Sequence, residues 1–391
     1  MKISVATASG VEAVTKRELY RLTGKEDLAA IDGRISFEGE WKDVAACNLR
    51  LRTANRVEIV VGGFKAGDFD GLYEGVFSLP WEDFLPRNGN FVLTAKSTDC
   101  KLFARSAIQS VSEKAICDRL KRAYGLTVLS KSGARYRVEV SGRKDYFTLS
   151  LDTSGEGLHR RGYRGLVGEA PLKETLAAAL IELSVWNPSR PLVDLFCGSG
   201  TIPIEAAMIA LRIPAGGKRN FDFAFWSETC RKTLEEEREK AFAEVDKKVE
   251  IRISGFDVDE GQIRLARRHA ELAGVDGYVH LQRADMRGFS SRFSHGVVIS
   301  NPPYGERLSD RREVETLYRD YGKKIRSLDE WCAYTLTPVD DFERLFGGKA
   351  DKKRKIYNGK IACTYYAFLA SPPAKRVPPG NGRGSSGRVS P

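Results

Sequence analysis

The sequence predicts an α/β protein in two parts: an α+β front half and, behind it, a mostly parallel sheet wound with helices. Three observations predict this. At 391 residues the chain exceeds what one hydrophobic core usually serves, so more than one domain is expected. The front half mixes alternating, strand-like runs with amphipathic helices. After Gly155 the texture changes to short, continuous apolar runs between helical stretches, which is how strands covered on both faces read.

In the front half, residues 3–6 read as a strand, 11–22 as a helix with apolar spacing of about 3.6 residues, and 33–38 as an alternating strand. A helix over 43–53 and a strand over 56–61 complete a first unit, residues 1–62. A second unit, 63–153, has strands over 91–95, 136–141 and 146–152 and a helix over 106–124. Nothing in this half points to catalysis. In the back half, 154–370, strands are expected over 192–195, 251–256, 279–281, 296–300, 331–336 and 361–369. The run Lys352-Lys353-Arg354-Lys355 reads as a solvated hairpin tip, and the aromatics of 221–226 as a loop packed onto the core. Residues 371–391 are rich in Pro, Gly and Ser, carry Lys375, Arg376, Arg383 and Arg388, and have too little apolar content to order themselves. They are expected to be a disordered basic tail.

Composition excludes some classes of function. Apolar residues at 42% and charged residues at 29% are those of a globular protein, and no run approaches the roughly 18 apolar residues of a membrane helix. The first residues carry no signal-peptide pattern, so a cytoplasmic location is expected. The seven cysteines are scattered and form no C-x-x-C pair, so they read as reduced, mostly buried thiols rather than a disulfide framework or a zinc site. The four histidines show no ligand spacing either, so no metal is expected. A net charge of +11 favours a polyanionic partner, because neutralising phosphates releases counterions.

The strongest local signal is Asp194-Leu195-Phe196-Cys197-Gly198-Ser199-Gly200-Thr201, an apolar strand running through a glycine turn into an alanine-rich helix. Gly198 and Gly200 permit positive φ and close approach of a ligand, beside a helix start that exposes unpaired amides. The Gly-Lys-Ser/Thr of a triphosphate-binding loop is missing. The next strand ends in Phe256-Asp257-Val258-Asp259, where Asp257 can accept both hydroxyls of a ribose. After the third strand, Asp285 can accept from an adenine amine and Met286 can cover the ring. In this order, these residues describe a site for an adenosine.

The fourth strand delivers Ser300-Asn301-Pro302-Pro303-Tyr304-Gly305-Glu306-Arg307-Leu308. Two prolines stiffen the backbone and remove donors, so the Asn301 side-chain oxygen and the Pro302 carbonyl can together accept both hydrogens of an amino group. Tyr304 offers a ring on which an extruded base stacks, typically worth about 1–3 kcal/mol. An exocyclic amine gives its lone pair to the ring and is a poor nucleophile. Two acceptors on its hydrogens turn that lone pair towards a sulfonium methyl, with no strong base required.

At these residues the chain resembles class I S-adenosylmethionine-dependent methyltransferases. Leu158-His159-Arg160-Arg161-Gly162-Tyr163-Arg164, Ala170-Pro171-Leu172-Lys173-Glu174-Thr175, the glycine turn and the Asn-Pro-Pro-Tyr run together are similar to the THUMP-containing RNA guanine-N2 methyltransferases, especially those acting on bacterial 23S ribosomal RNA. Ser97-Thr98-Asp99-Cys100-Lys101-Leu102-Phe103 and the helix after it resemble the THUMP domain itself. The resemblance implies a ferredoxin-like domain over 1–62, THUMP over 63–153, and a Rossmann-like, seven-stranded methyltransferase domain over 154–370. It implies S-adenosyl-L-methionine as cofactor, held by Asp194, Phe196, Gly198, Gly200, Thr201, Asp257, Asp285 and Asn301, with Asn301, Pro302 and Tyr304 at the target amine. RNA is the implied partner, met by Lys101 and Arg105; between the domains, Arg160, Arg161 and Arg164 read either as phosphate contacts or as a solvated or salt-bridged face. A tRNA-specific branch shares the architecture. The Asn-Pro-Pro-Tyr motif also serves enzymes that methylate adenine N6 or a protein glutamine, and an RNA-binding assembly factor that keeps the fold without catalysis is the non-enzymatic alternative.

Overall fold

The computed structural model describes residues 1–31, 33–164, 172–304, 308–328 and 330–370. The expected tail, together with Ala170-Pro171 and Gly305-Glu306-Arg307, lies outside the described residues.

The front half is built on one seven-stranded sheet: β1 (Lys2–Thr7), β2 (Ala29–Ile31), β3 (Arg34–Glu38), β4 (Ala54–Lys65), β5 (Asn90–Thr98), β6 (Arg135–Arg143) and β7 (Tyr146–Asp152), in the order β2-β3-β1-β4-β7-β6-β5. Only β5 and β6 run parallel. The boundary expected at 62/63 falls inside β4, which pairs with β1 along one edge and with β7 along the other. The two modules therefore share a sheet. Glycines at 62 and 63 make the strand look finished at Val61. They are needed there because a Cβ on Gly62 would meet Leu79 Cδ2 at 2.5 Å and one on Gly63 would meet the Phe147 carbonyl at 2.9 Å. Helices α1 (Glu12–Thr23), α2 (Trp41–Arg50), α3 (Phe69–Ser78) and α4 (Arg105–Tyr124) complete this half. Two glycines hide α3 in the sequence, and Asp68 starts it by accepting from Gly71 N at 2.8 Å.

The back half contains α5 (Glu174–Leu183), β8 (Leu192–Asp194), α6 (Thr201–Ala210), α7 (Glu228–Ala243), β9 (Ile253–Asp257), α8 (Glu260–Ala273), β10 (Val279–Arg283), β11 (Val297–Ser300), α9 (Leu308–Arg326), β12 (Cys332–Thr337), α10 (Phe342–Phe346), β13 (Lys352–Asn358) and β14 (Ile361–Phe368). The sheet order is β10-β9-β8-β11-β12-β14-β13, with β14 antiparallel to both its neighbours and the other pairs parallel. This is the seven-stranded, mostly parallel sheet expected. Lys352–Lys355 is not a hairpin tip: it opens β13, an edge strand paired with β14, with Ile356 buried beneath it. Lysines keep an exposed edge solvated, so a charge run here fits a strand as well as a turn.

The halves are closely joined. Phe221, Phe223 and Leu234 are buried in the front-half core, and Trp226 stacks on Tyr136 with ring centroids 4.7 Å apart. Arg52 donates to the carbonyls of Met208 and Ile213. In the sheet the chain winds from β8 out to β10, then restarts at β11 on the other side of β8. The crevice between the carboxyl ends of β8 and β11 is the switch point at which ligands bind such sheets. Among the described residues no helix is long and apolar enough to cross a membrane.

Candidate active site at the carboxyl edge of the second sheet

The turn after β8 has two left-handed glycines with different jobs. Gly200, at φ 83°, packs on α8: a Cβ there would meet Ala266 Cβ at 3.0 Å. Gly198, at φ 49°, faces open space, its nearest neighbour being Gln262 Oε1 at 4.0 Å. Gly198 N donates to Asp257 Oδ2 at 2.9 Å, and Asp259 N to Asp257 Oδ1 at 3.0 Å. A carboxylate has about four lone-pair sites, so Asp257 keeps capacity for two ribose hydroxyls. Beside it Val258 is 61% exposed. An apolar side chain held open between two aspartates suits an adenine face, and its position at the end of β9 was the signal available in the sequence. This open glycine, the half-satisfied carboxylate and the bare apolar side chain fit an adenosine-bearing cofactor.

Asp194 lies behind the turn, not in it. It is buried, accepts from Phe196 N at 3.1 Å, and bonds the Ser300 hydroxyl, which itself accepts from Leu195 N at 3.1 Å. Burial pushes its carboxyl up to about 7. It ties the end of β8 to the end of β11. Phe196 is half-buried edge-on to Tyr321, and Thr201 is buried at the start of α6. His269 of α8, which carried no sequence signal, places Nδ1 3.1 Å from the Ser199 carbonyl. Asp285 is half-exposed at this edge, caps the next short turn through Arg287 N at 2.8 Å and pairs with the Arg287 guanidinium. These Arg287 contacts, the backbone N–H first, hold its carboxyl below the usual range. Met286 departs from expectation: it is 2% exposed, in a core with Val193 and Val298, and cannot cover a ring.

On the other side of the crevice, Asn301 is half-buried and Pro302 buried. The Pro302 carbonyl receives no hydrogen bond from the described residues, whereas the Pro303 carbonyl accepts from Tyr318 at 3.0 Å. Tyr304 is folded in. Its hydroxyl donates to Asn301 Oδ1 and also bonds the side chains of Asn358 and Cys363, and burial raises its pKa. The oxygen expected to accept a target amine is thus one that Tyr304 already occupies, with a second lone pair of the amide oxygen left over.

The arginine cluster does not form one surface. Arg160 is exposed and pairs loosely with Glu156. Arg161 corrects the expectation of a phosphate contact: its side chain is 1% exposed, pairs with Glu205 of α6 at 3.3 Å, and donates to the carbonyls of Leu158 and Arg52. Arg164 is also turned in, with a side chain 14% exposed that pairs with Glu174 and donates to the Leu172 carbonyl. Burying a charge requires such full pairing, and both arginines are spent on it. Lys101 and Arg105, the residues expected to meet RNA, are exposed, and between them stands Phe103, 81% exposed. An aromatic between two cations is a signal the sequence offered. All seven cysteines are unpaired, five of them buried.

Comparison with known proteins agrees with this architecture. Residues 161–367 match the family described as RMKL-like, methyltransferase domain. Residues 2–58 match the RlmL ferredoxin-like domain and 66–152 the THUMP domain. "Putative RNA methyltransferase YpsC" of Bacillus subtilis is 41% identical over 371 residues, covering 93% of this chain and 95% of its own. "Ribosomal RNA large subunit methyltransferase K/L" of Aliivibrio fischeri is 33% identical over 390 residues, 96% of this chain and 54% of its own, so the chain spans about half the length of such relatives. Among solved structures, SMU.472, titled a putative methyltransferase complexed with SAH, superposes with a TM-score of 0.90 at 40% identity, covering 95% of this chain and 98% of its own. A Listeria monocytogenes protein titled a predicted N6-adenine-specific DNA methylase does so with 0.89 at 40% identity, covering 95% and 96%.

Proposed function

The chain belongs to the RMKL-like family of RNA methyltransferases that use S-adenosylmethionine, and from that membership we propose that it methylates the N2 amine of a guanine in RNA, with 23S ribosomal RNA as the substrate. The observation that carries the chemistry is the pair of acceptors at the carboxyl end of β11. Asn301 Oδ1 and the Pro302 carbonyl are acceptors on successive residues just past β11, the second without a donor among the described residues; with an amine giving a hydrogen to each, no carboxylate or imidazole is needed to remove a proton first.

The cofactor supplies an electrophilic methyl group on a sulfonium. The chain's residues do the rest. Gly198 leaves room, Asp257 binds the ribose, Asp285 stands at the adenine end, and Val258 covers the base. Asp194, pinned to Ser300, holds the two sides of the crevice in register. Tyr304 releases Asn301 and presents its ring to the base. Lys101, Phe103 and Arg105 in THUMP, with Arg160 at the junction, meet the RNA backbone.

The N2 assignment rests on the resemblance to the THUMP-containing guanine-N2 methyltransferases; the Listeria protein, named a predicted N6-adenine-specific DNA methylase, favours adenine N6 instead. Nucleoside mass analysis of ribosomal RNA and tRNA from cells with and without the gene, mapped to position, decides between them. Loss of one N2-methylguanosine in 23S RNA is expected. Loss of an N6-methyladenosine, or of a tRNA modification, replaces the base or the substrate.

A further inference from the structure

The sheet order leaves a second opening at the same edge. The cofactor turn lies on the β8–β9 side of β11, while β12, β14 and β13 lie on the other. In transfer of a methyl from sulfur to nitrogen, the new N–C bond forms opposite the S–C bond that breaks, so the acceptor approaches from the side away from the cofactor. A cavity of about 440 Å³ lies on that side, the size of a small-ligand pocket.

Its floor is the turn from β13 to β14, with Tyr357 and Asn358, and Asn358 bonds Tyr304 of the active site. The facing wall is foreign to the methyltransferase half: Ser9 follows β1 and Asn55 lies in β4 of the ferredoxin-like module. Lys173 and Thr175, at the head of α5, complete it. The wall is fixed in place. Thr175 Oγ1 donates to Asn55 Oδ1 at 3.0 Å and Arg354 Nη1 to the Gly10 carbonyl at 3.0 Å. Gly10, at φ 94°, sits so close to β13 that a Cβ would meet the Lys355 carbonyl at 2.4 Å.

We infer that this cavity receives the single nucleotide that carries the target amine, extruded from the RNA, and that the ferredoxin-like module supplies one wall of the acceptor pocket. The inference rests on the function proposed above. A cavity of this volume holds one base and not a paired stack, so the nucleotide has to leave its helix. Tyr357 offers the entering base a ring, Ser9 and Asn358 offer polar contacts, and the exposed Lys173 matches one phosphate. The module is thereby a part of the site as well as a spacer ahead of THUMP.

The test uses the full chain and the RNA that the wild type methylates. Ser9→Trp fills the cavity from the module's side, and Lys173→Glu reverses its cation; both positions are exposed, and melting curves verify folding. Each variant is expected to lower kcat/KM about tenfold or more, with S-adenosylmethionine affinity by calorimetry and overall RNA retention on filters unchanged. With 2-aminopurine at the target position, wild type raises fluorescence by unstacking it and Ser9→Trp does not. Folded variants that match wild type in both rate and fluorescence overturn the inference while leaving the proposed function standing. A wild type that methylates no RNA removes both.

Discussion

The two sides of β11 are built on different principles. On the cofactor side, a single stretch from Asp194 to Thr201 does most of the work, and its parts are locked from behind: Asp194 to Phe196 N and Ser300, Gly198 N to Asp257, Ser199 to His269. On the proposed acceptor side Asn301 Oδ1 is held by the Tyr304 hydroxyl, and the cavity that reaches this pair through Asn358 is assembled from four separate parts of the chain. A site that binds the same small molecule every cycle profits from preorganisation. One that admits a base out of a large RNA needs a contact that gives way.

The largest effect that separates the sides comes from exchanging one residue in each. Asn301→Ala removes an acceptor of the target amine and is expected to lower kcat by about 10²–10³-fold, with cofactor affinity changed little. Asp257→Ala is expected to do the reverse, weakening cofactor binding about tenfold or more through lost ribose contacts. Single-turnover rates and calorimetry on both variants measure this. Asn301→Ala with undiminished methyl incorporation breaks the comparison, because the acceptor side then does no work on the amine.

Next in size is the support behind the cofactor turn. Arg161 and Glu205 are both buried, Glu205 within the helix that begins at the turn. Arg161→Met leaves Glu205 as a buried, unpaired charge and is expected to cost about 3–5 kcal/mol in urea unfolding. Arg160→Met, one residue away and exposed, is expected to stay within about 0.5 kcal/mol and to weaken RNA binding instead. Equal stability of the two variants defeats the claim that the linker braces this side.

These two arginines also mark what the sequence could and could not tell. The cofactor side has a local pattern because its residues are consecutive or end a strand: Gly198 and Gly200 make the left-handed turn and Asp257 ends β9 beside it. Arg160 and Arg161 look equivalent in sequence, and only the position of Glu205 sends one inward. Met286 reads as a ring cover because it follows a strand, yet the core beneath takes its side chain. The acceptor cavity joins Ser9, Asn55, Lys173 and Tyr357 across a domain boundary, and no local pattern connects them. Even that boundary was blurred, since the glycines that admit Leu79 and Phe147 against β4 look like the end of a strand.

Asp194 gives a smaller effect with a sign. Its folded carboxyl titrates at about 7, against about 3.9 in an unfolded chain. Between these values the folded state keeps a proton that the unfolded state gives up, so this residue's contribution to stability falls as pH rises from about 4 to about 7 and then levels. Asp194→Asn is expected to remove that slope from a series of denaturant midpoints. An unchanged slope means that the residue is solvated, and the pin between β8 and β11 is then weaker than the crevice requires.

The smallest effect tests whether the Tyr304 hydroxyl only holds a place. If the ring is the platform and the hydroxyl keeps Asn301 oriented until an amine replaces it, Tyr304→Phe retains the stacking surface and loses one hydrogen bond of about 1 kcal/mol. The substrate then no longer competes for Asn301 Oδ1, so KM for RNA is expected to fall by up to about fivefold while kcat changes by less than that. Tyr304→Ala also removes the stack and is expected to raise KM by the larger margin that about 1–3 kcal/mol represents. A Tyr304→Phe variant as impaired as Tyr304→Ala reverses the assignment. The hydroxyl would then act in the transferring complex, and both sides of β11 would be preorganised alike.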